Sequence, residues 1–252
     1  MKDHSLIKIT CYCVDSTNTA LKAMAGDYPD KDVLLVAKTQ TGGRGRMGRS
    51  FSSPEGGIYM SLLLHPDIPA SESLFLTTAM AVAVSKAVEG VCGRETSIKW
   101  VNDVFMDGKK ICGILTEAKI NSESLKPDYT VVGVGINVEE PENGFESELK
   151  DIAGAIYPYG NAPSGIKDAL MTEVIKIFYM YYEQMAEKAY FEEYKKRSCL
   201  IGKEVRVVDN VLNPGQTENA VVLDINEKCH LIVKYQDGTV KALSSGDVSI
   251  RQ

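Results

Sequence analysis

Histidine and tryptophan are nearly missing from this chain: its 252 residues hold three histidines (His4, His65, His230) and one tryptophan, Trp100. The histidines stand far apart, and no two of the six cysteines, at 11, 13, 92, 112, 199 and 229, have two residues between them. That argues against a zinc cluster and leaves buried free thiols in a reducing compartment. A surplus of positive charge is lacking too, since 28 basic residues against 34 acidic ones give a net charge of −6. Proteins that hold nucleic acid by general attraction carry a basic face or a high pI. No DNA is therefore expected as a partner, although a single nucleotide needs only a few placed cations. Long apolar runs are missing as well. The longest, near residues 74 to 84, is well short of the roughly 20 residues that span a bilayer. The N-terminal Met1-Lys2-Asp3-His4-Ser5 lacks the apolar core of a signal peptide. A cytoplasmic protein with no membrane partner is expected. There are no internal repeats and no low-complexity segments. A hydrophobic content of 44% suffices for a sizeable core, and the length suits one large domain, alone or with a small appendage.

What is present concentrates in residues 38 to 62. An apolar strand (Val33 to Ala37) leads into a loop rich in glycine, at 42, 43, 45, 48, 56 and 57, and in arginine, Arg44, Arg46 and Arg49. A second apolar strand, Ile58 to Leu64, leads out. Glycine lets a backbone approach a ligand closely, and arginine offers a planar, permanently charged fork to carboxylate and phosphate oxygens. A loop mixing the two is suited to an anion, over which its arginines are expected to close. The two bracketing strands count against a disordered RNA-binding tail.

The rest of the chain reads as follows. Residues 5 to 13 favour a strand, and Ser16-Thr17-Asn18 precede a short helix that stops near Gly26. These three either cap the helix or present hydroxyls and N–H groups to a polar ligand. Residues 72 to 91 read as a helix apolar on almost every side, hence buried. Residues 97 to 120 carry a hairpin signal at Asp107-Gly108, with Asn102-Asp103 on its first arm and Lys110 and Gly113 on its second. Asp103 lies in an apolar setting, where a carboxylate must be paired, coordinate a cation or be protonated. Residues 129 to 138 form a buried strand with Gly133, Gly135 and Asn137 on one face. Residues 139 to 150 look like an exposed loop, and 163 to 197 like one long helical region. Beyond it come short β segments with turns at Asn213-Pro214-Gly215 and Asp237-Gly238, the texture of a small barrel. The expected division is 1–197 and 198–252.

In order along the chain stand Ser16-Thr17-Asn18, Gln40, Gly43-Arg44-Gly45-Arg46-Met47-Gly48-Arg49, Lys99-Trp100-Val101-Asn102-Asp103, Lys110-Ile111-Cys112-Gly113 and Gly133-Val134-Gly135-Ile136-Asn137. Each is weak or moderate alone; the ordered set, with a small β domain following, resembles the biotin protein ligases. The resemblance implies an α+β fold: a mixed β-sheet with packed helices, then an SH3-like β-barrel. It implies ATP and biotin as substrates with Mg²⁺, and formation of biotinyl-5′-AMP. The biotin would pass to a lysine of a biotin carboxyl carrier protein or domain, and a homodimer is possible as is common in the family.

By the same resemblance, Lys110 and Arg46 are the catalytic residues. Ser16, Thr17, Asn18, Gln40, Gly43, Arg44, Gly45, Arg46, Lys110, Gly113, Gly133 and Ile136 would meet biotin. Arg44, Arg46, Arg49, Phe51, Asn102, Asp103, Lys110 and Asn137 would meet the nucleotide, with Asp103 the magnesium partner. Trp100 would be a support beneath the site. The neutral ureido head of biotin, with two N–H donors and a carbonyl, suits the hydroxyls and amides of Ser16, Thr17, Asn18 and Gln40. Two residues depart from the family pattern. Val101 stands where proline is usual, and Phe51 where tryptophan is frequent near the adenine. The catalytic pattern starts within the first 20 residues, so a form without the N-terminal DNA-binding module is expected. The alternatives are a lipoate or octanoyl ligase of the same fold, or a biotin-sensing transcriptional regulator.

Overall fold

The computed structural model describes residues 6 to 208 and 217 to 250. In chain order its elements are β1 (Ile7–Val14), α1 (Thr17–Met24), β2 (Val33–Gln40), β3 (Ile58–Leu64), α2 (Ser73–Cys92), β4 (Ser97–Lys99), β5 (Asp103–Met106), β6 (Lys109–Ile120) and β7 (Pro127–Ile136). There follow α3 (Ile166–Glu183), α4 (Phe191–Lys196), β8 (Glu204–Val208), β9 (Glu218–Ile225), β10 (Leu231–Tyr235), β11 (Val240–Leu243) and β12 (Asp247–Ile250). The first seven strands form one sheet in the order β1-β2-β3-β7-β6-β5-β4, and the last five a second in the order β11-β10-β9-β8-β12. Only β1 and β2 pair in parallel, with α1 as their crossover. The large sheet is thus mixed and the small one antiparallel, the α+β arrangement expected.

Alternation along the strands decides what covers each face of the large sheet. Val33, Leu35, Leu63 and Val131 pack with Leu21 and Ala25 of the α1 segment. Leu34, Met60, Leu62, Leu64, Val132 and Val134 point the other way, into the larger core of α2 and α3. With its leading turn, α2 (Ala70–Cys92) is long and apolar enough to cross a membrane by composition. It is longer than the apolar run read from the sequence because Ser73 and Ser85-Lys86 bound that run, which contains Thr77 and Thr78. Inside the core both find partners: Thr77 bonds Thr116 at 2.7 Å, and Thr78 bonds the carbonyls of Leu74 and Phe75. Leu76, Ala79 to Val84, Ala87 and Val88 are fully enclosed, so α2 is a core helix.

The hairpin between β5 and β6 turns at Asp107 and Gly108, both with positive φ (51° and 78°), the backbone that an Asp-Gly pair favours. The single helical region expected over 163–197 is two helices. The apolar stripe of α3 ends near Met185, and the chain turns through Lys188 (φ 51°) before α4. That turn lets Tyr190 and Tyr194 reach full burial. The expected turn at Asn213-Pro214-Gly215 lies outside the described residues. The second sheet shares the core of the first. Cys229, wholly buried, accepts a hydrogen bond from Trp100 Nε1 on its carbonyl oxygen at 2.8 Å, and its Sγ lies 3.5 Å from Thr78 Oγ1. The Trp100–Val101 peptide bond is cis.

Candidate active site

Helix α1 covers only part of its face of the sheet. Beyond Leu63 and Val131 the residues of that face become small or polar: Ser61, Gly113, Gly133, Gly135. The opening left there is the candidate site. Gly133 is needed for close approach, because a Cβ built on it would lie 2.0 Å from Asn18 Oδ1.

At the α1 end the side chains form a neutral polar network. Ser16 caps α1, its Oγ facing the Thr19 N–H at 3.5 Å. Gln40 Oε1 accepts from the Thr17 N–H (2.8 Å) and the Thr17 hydroxyl (3.0 Å), while its Nε2 donates to Ser53 Oγ (2.8 Å). Ser61 Oγ stands 2.7 Å from both Thr17 Oγ1 and Asn18 Oδ1. Asn18 Nδ2 donates to the Leu115 carbonyl (3.2 Å) and to Glu117 Oε2 (2.9 Å), and Lys22 Nζ meets Glu117 Oε1 at 2.6 Å. Ser16, Thr17 and Asn18 are all buried. They wall a small pocket of about 20 Å³ with Gln40, Arg44, Phe51, Gly113, Leu115, Gly133, Val134 and Gly135.

A second cavity of about 100 Å³ adjoins it, sharing Arg44, Phe51, Gly113 and Leu115. Around it stand five basic side chains, Arg44, Arg46, Arg49, Lys99 and Lys110, and one carboxylate, Asp103. On a chain of net charge −6 this is a concentrated positive spot, shaped for an anion. The glycine-arginine loop is an ordered hairpin: Gln40 N–H bonds Ser53 O, Phe51 N–H bonds Gly43 O, and Gly45 N–H bonds Arg49 O at 2.7 Å. Gly43 admits no side chain there, since a Cβ would fall 2.3 Å from the Phe51 carbonyl oxygen. Arg46 donates from its guanidinium to Asn102 Oδ1 at 3.1 Å, and Asn102 Nδ2 to Ile114 O at 2.9 Å.

Lys110 Nζ lies 2.7 Å from Asp103 Oδ1 and 5.9 Å from the centre of the Phe51 ring. Backbone bonds on both sides set its position, with Lys110 N–H to Ile152 O (2.8 Å) and Gly154 N–H to Lys110 O (2.9 Å). Asn137 braces the same segment, donating from Nδ2 to Gly154 O at 2.9 Å. Among the described residues no group of three or more His, Cys, Asp or Glu side chains could hold a metal ion by itself. Asp103, 22% exposed, supplies one carboxylate amid the cations. That suits an ion whose other ligands are phosphate oxygens and water, as magnesium prefers.

The fold therefore brings Ser16, Thr17, Asn18, Gln40, Arg44, Gly113 and Gly133 to one pocket, and Arg44, Gly45, Arg46, Arg49, Phe51, Asn102, Asp103 and Lys110 to its neighbour, with Gly43 in the loop between. Asn137 and Ile136 line neither. Asn137 holds the Gly154 segment, and Ile136 lies in the large core. Sequence reading missed Ser53, Ser61, Leu115, Glu117 and Gly246, and placed Lys99 in a motif without giving it a role. Ser61 carried a signal, as the polar interruption of an apolar strand, and Lys99 as the neighbour of Trp100. Gly246, between β11 and β12, lines the cationic cavity, and no local pattern announced it.

Residues 10–137 match the biotin/lipoate A/B protein ligase family, and residues 200–251 the biotin protein ligase C-terminal domain. The chain is 31% identical over 242 residues to the biotin–[acetyl-CoA-carboxylase] ligase of Mycobacterium tuberculosis, covering 92% of this chain and 85% of that one. With the bifunctional ligase/repressor BirA of Bacillus subtilis it shares 42% identity over 144 residues, 57% of this chain and 44% of that protein. The matched stretch is thus less than half the length of that relative. Among solved structures, the biotin protein ligase from Aquifex aeolicus in complex with biotin and ATP superimposes with a TM-score of 0.77 at 29% identity, covering 98% of this chain and 99% of that one. With half the chain matched by one family description and nearly all of the remainder's small sheet by its companion, the chain belongs to the biotin/lipoate A/B protein ligase family.

Proposed function

We propose that this protein activates biotin with ATP and attaches it to a lysine of a biotin carboxyl carrier protein or domain. The observation that carries the reading is the joining of two unlike pockets at Arg44, Phe51, Gly113 and Leu115, with Lys110 beside Gly113. One is neutral and hydrogen-bonding; the other is strongly cationic. A ureido head needs acceptors for two N–H groups and donors for one carbonyl, and the Ser16, Thr17, Asn18 and Gln40 network supplies both kinds. A lipoate or octanoate chain would displace water from that network without offering it a hydrogen bond in return, which is costly. The carboxylate of biotin would then lie toward the cations.

In the first step a carboxylate oxygen attacks the α-phosphorus of ATP. A C(O)–O–P bond forms, the bond to the bridging oxygen breaks, and pyrophosphate leaves. Two anions must meet, so their repulsion has to be offset and the attack held in line. Lys110 reaches both the carboxylate and the α-phosphate, Arg44 and Arg46 fold over the adenylate, and Arg49 and Lys99 face the outgoing phosphates. Asp103, with Asn102 beside it, would hold magnesium, which supplies charge neutralisation on the phosphates when bound. In the second step the neutral amine of the acceptor lysine attacks the anhydride carbonyl; an amide forms, AMP leaves, and the amine loses a proton.

The direct test is biotin-dependent exchange of labelled pyrophosphate into ATP without an acceptor. Exchange with biotin and none with lipoate or octanoate is expected; exchange with lipoate alone would overturn the choice of acid. Two substitutions follow from the charge arrangement. Arg46→Gly is expected to speed dissociation of the preformed adenylate by about ten- to a hundredfold, the scale of one charge-assisted hydrogen bond. A filter-binding release assay reads it, and an unchanged release rate would remove Arg46 from the closing role. Lys99→Met is expected to raise KM for ATP by roughly three- to tenfold, the smaller effect reflecting its partial exposure. An unchanged KM for ATP would leave Lys99 as surface charge.

A further inference from the structure

We propose that Glu117 is a positioning residue for the acid-binding pocket, locking the Asn18 amide with its carbonyl oxygen toward the ligand. The inference rests on the biotin reading above and names what sets the polarity of its recognition. An asparagine amide has two orientations half a turn apart that differ only in which end donates. Here Nδ2 points at two acceptors, the Leu115 carbonyl at 3.2 Å and Glu117 Oε2 at 2.9 Å. The turned orientation would set Oδ1 against both, with a full negative charge on one of them. The carboxylate adds a full charge, and the shorter of the two bonds, to the preference that the Leu115 carbonyl begins.

Glu117 is itself held. Lys22 Nζ lies 2.6 Å from its other oxygen, and the two side chains are 29% and 25% exposed. Asn18 and Lys22 stand four residues apart on α1, so both reach the same residue of β6. Burial on its own would raise the Glu117 pKa, but hydrogen bonds from Lys22 and Asn18 bring it below the ordinary value, so it is ionised at neutral pH. Oδ1, at the far end of the amide, sits over Gly133 and 2.7 Å from Ser61 Oγ. Ser61 has one hydroxyl proton, so at least one Oδ1 lone pair stays available. The pocket thus presents an acceptor, the group that a ureido N–H requires.

Glu117→Gln is nearly isosteric and is expected to fold. It should raise KM for biotin in pyrophosphate exchange about tenfold, with kcat and KM for ATP within twofold. A merely structural role would lower kcat or the melting temperature instead. Asn18→Asp sets a second carboxylate against Glu117 and should lose at least a hundredfold in kcat/KM for biotin. Adding Glu117→Gln to Asn18→Asp gives the new carboxylate a donor and should recover tenfold or more. A KM for biotin unchanged in Glu117→Gln, or a double variant no better than Asn18→Asp alone, would overturn the inference. A wild-type protein that exchanges with an acid other than biotin would instead overturn the function reading on which it rests.

Discussion

Replacing Lys110 with alanine is expected to lower the proposed adenylate formation by about 10²- to 10³-fold, the scale of losing one preorganised electrostatic contact. Several features single Lys110 out among the five cations. It stands beside Gly113 and Phe51, which line both pockets. Its backbone is tied on both sides, to Ile152 and Gly154, so its ammonium is aimed before any ligand arrives and little reorganisation is needed at the moment of reaction. Its partner Asp103, at 2.7 Å, would be left to hold a magnesium ion if phosphates drew the ammonium away. Single-turnover formation of biotinyl-5′-AMP measures the effect. Near-normal adenylation by Lys110→Ala would refute its assignment, and a normal rate of transfer from supplied biotinyl-5′-AMP would confine the loss to the first step.

Gly133→Ala is expected to raise KM for biotin by roughly ten- to a hundredfold, corresponding to the 1–3 kcal/mol typical of overpacking a tight site. Its Cβ would lie 2.0 Å from Asn18 Oδ1, which no real contact tolerates. Asn18 has no easy retreat, because the same amide is bonded to Leu115 and Glu117. The added methyl therefore either displaces the acceptor or breaks its bracing, and both damage the pocket. The nucleotide side is untouched, so KM for ATP should move less than twofold. Equal loss in both constants would mean that the strand itself had shifted.

Much of this site was legible before any fold was known. The arginines and glycines of residues 42 to 49, the capping trio at 16 to 18 and the Asp107-Gly108 turn each had a local physical reason. All three are where that reasoning put them: the trio at the start of α1, the turn between β5 and β6, the loop between β2 and β3. Ile136 and Asn137 were harder. They follow Gly135 directly, yet alternation sends Ile136 into the opposite core, while Asn137 spends its amide on Gly154. A motif states adjacency in the chain, and a strand turns adjacency into opposite faces.

The sequence by itself determined which segments alternate, where the backbone had to be small, and that an anion would meet a cluster of arginines on an acidic protein. Those properties depend on residue type and short spacing, and short spacing survives folding. Tertiary structure alone decided which parity of each strand faces α1, and therefore which side of the sheet is the pocket. It also decided that Asn18 meets Glu117, 99 residues away, and that Trp100 rests on Cys229, 129 residues away. Register and packing make those pairings. They arise from burying both faces of one sheet at once, a condition on the whole chain that no single stretch contains.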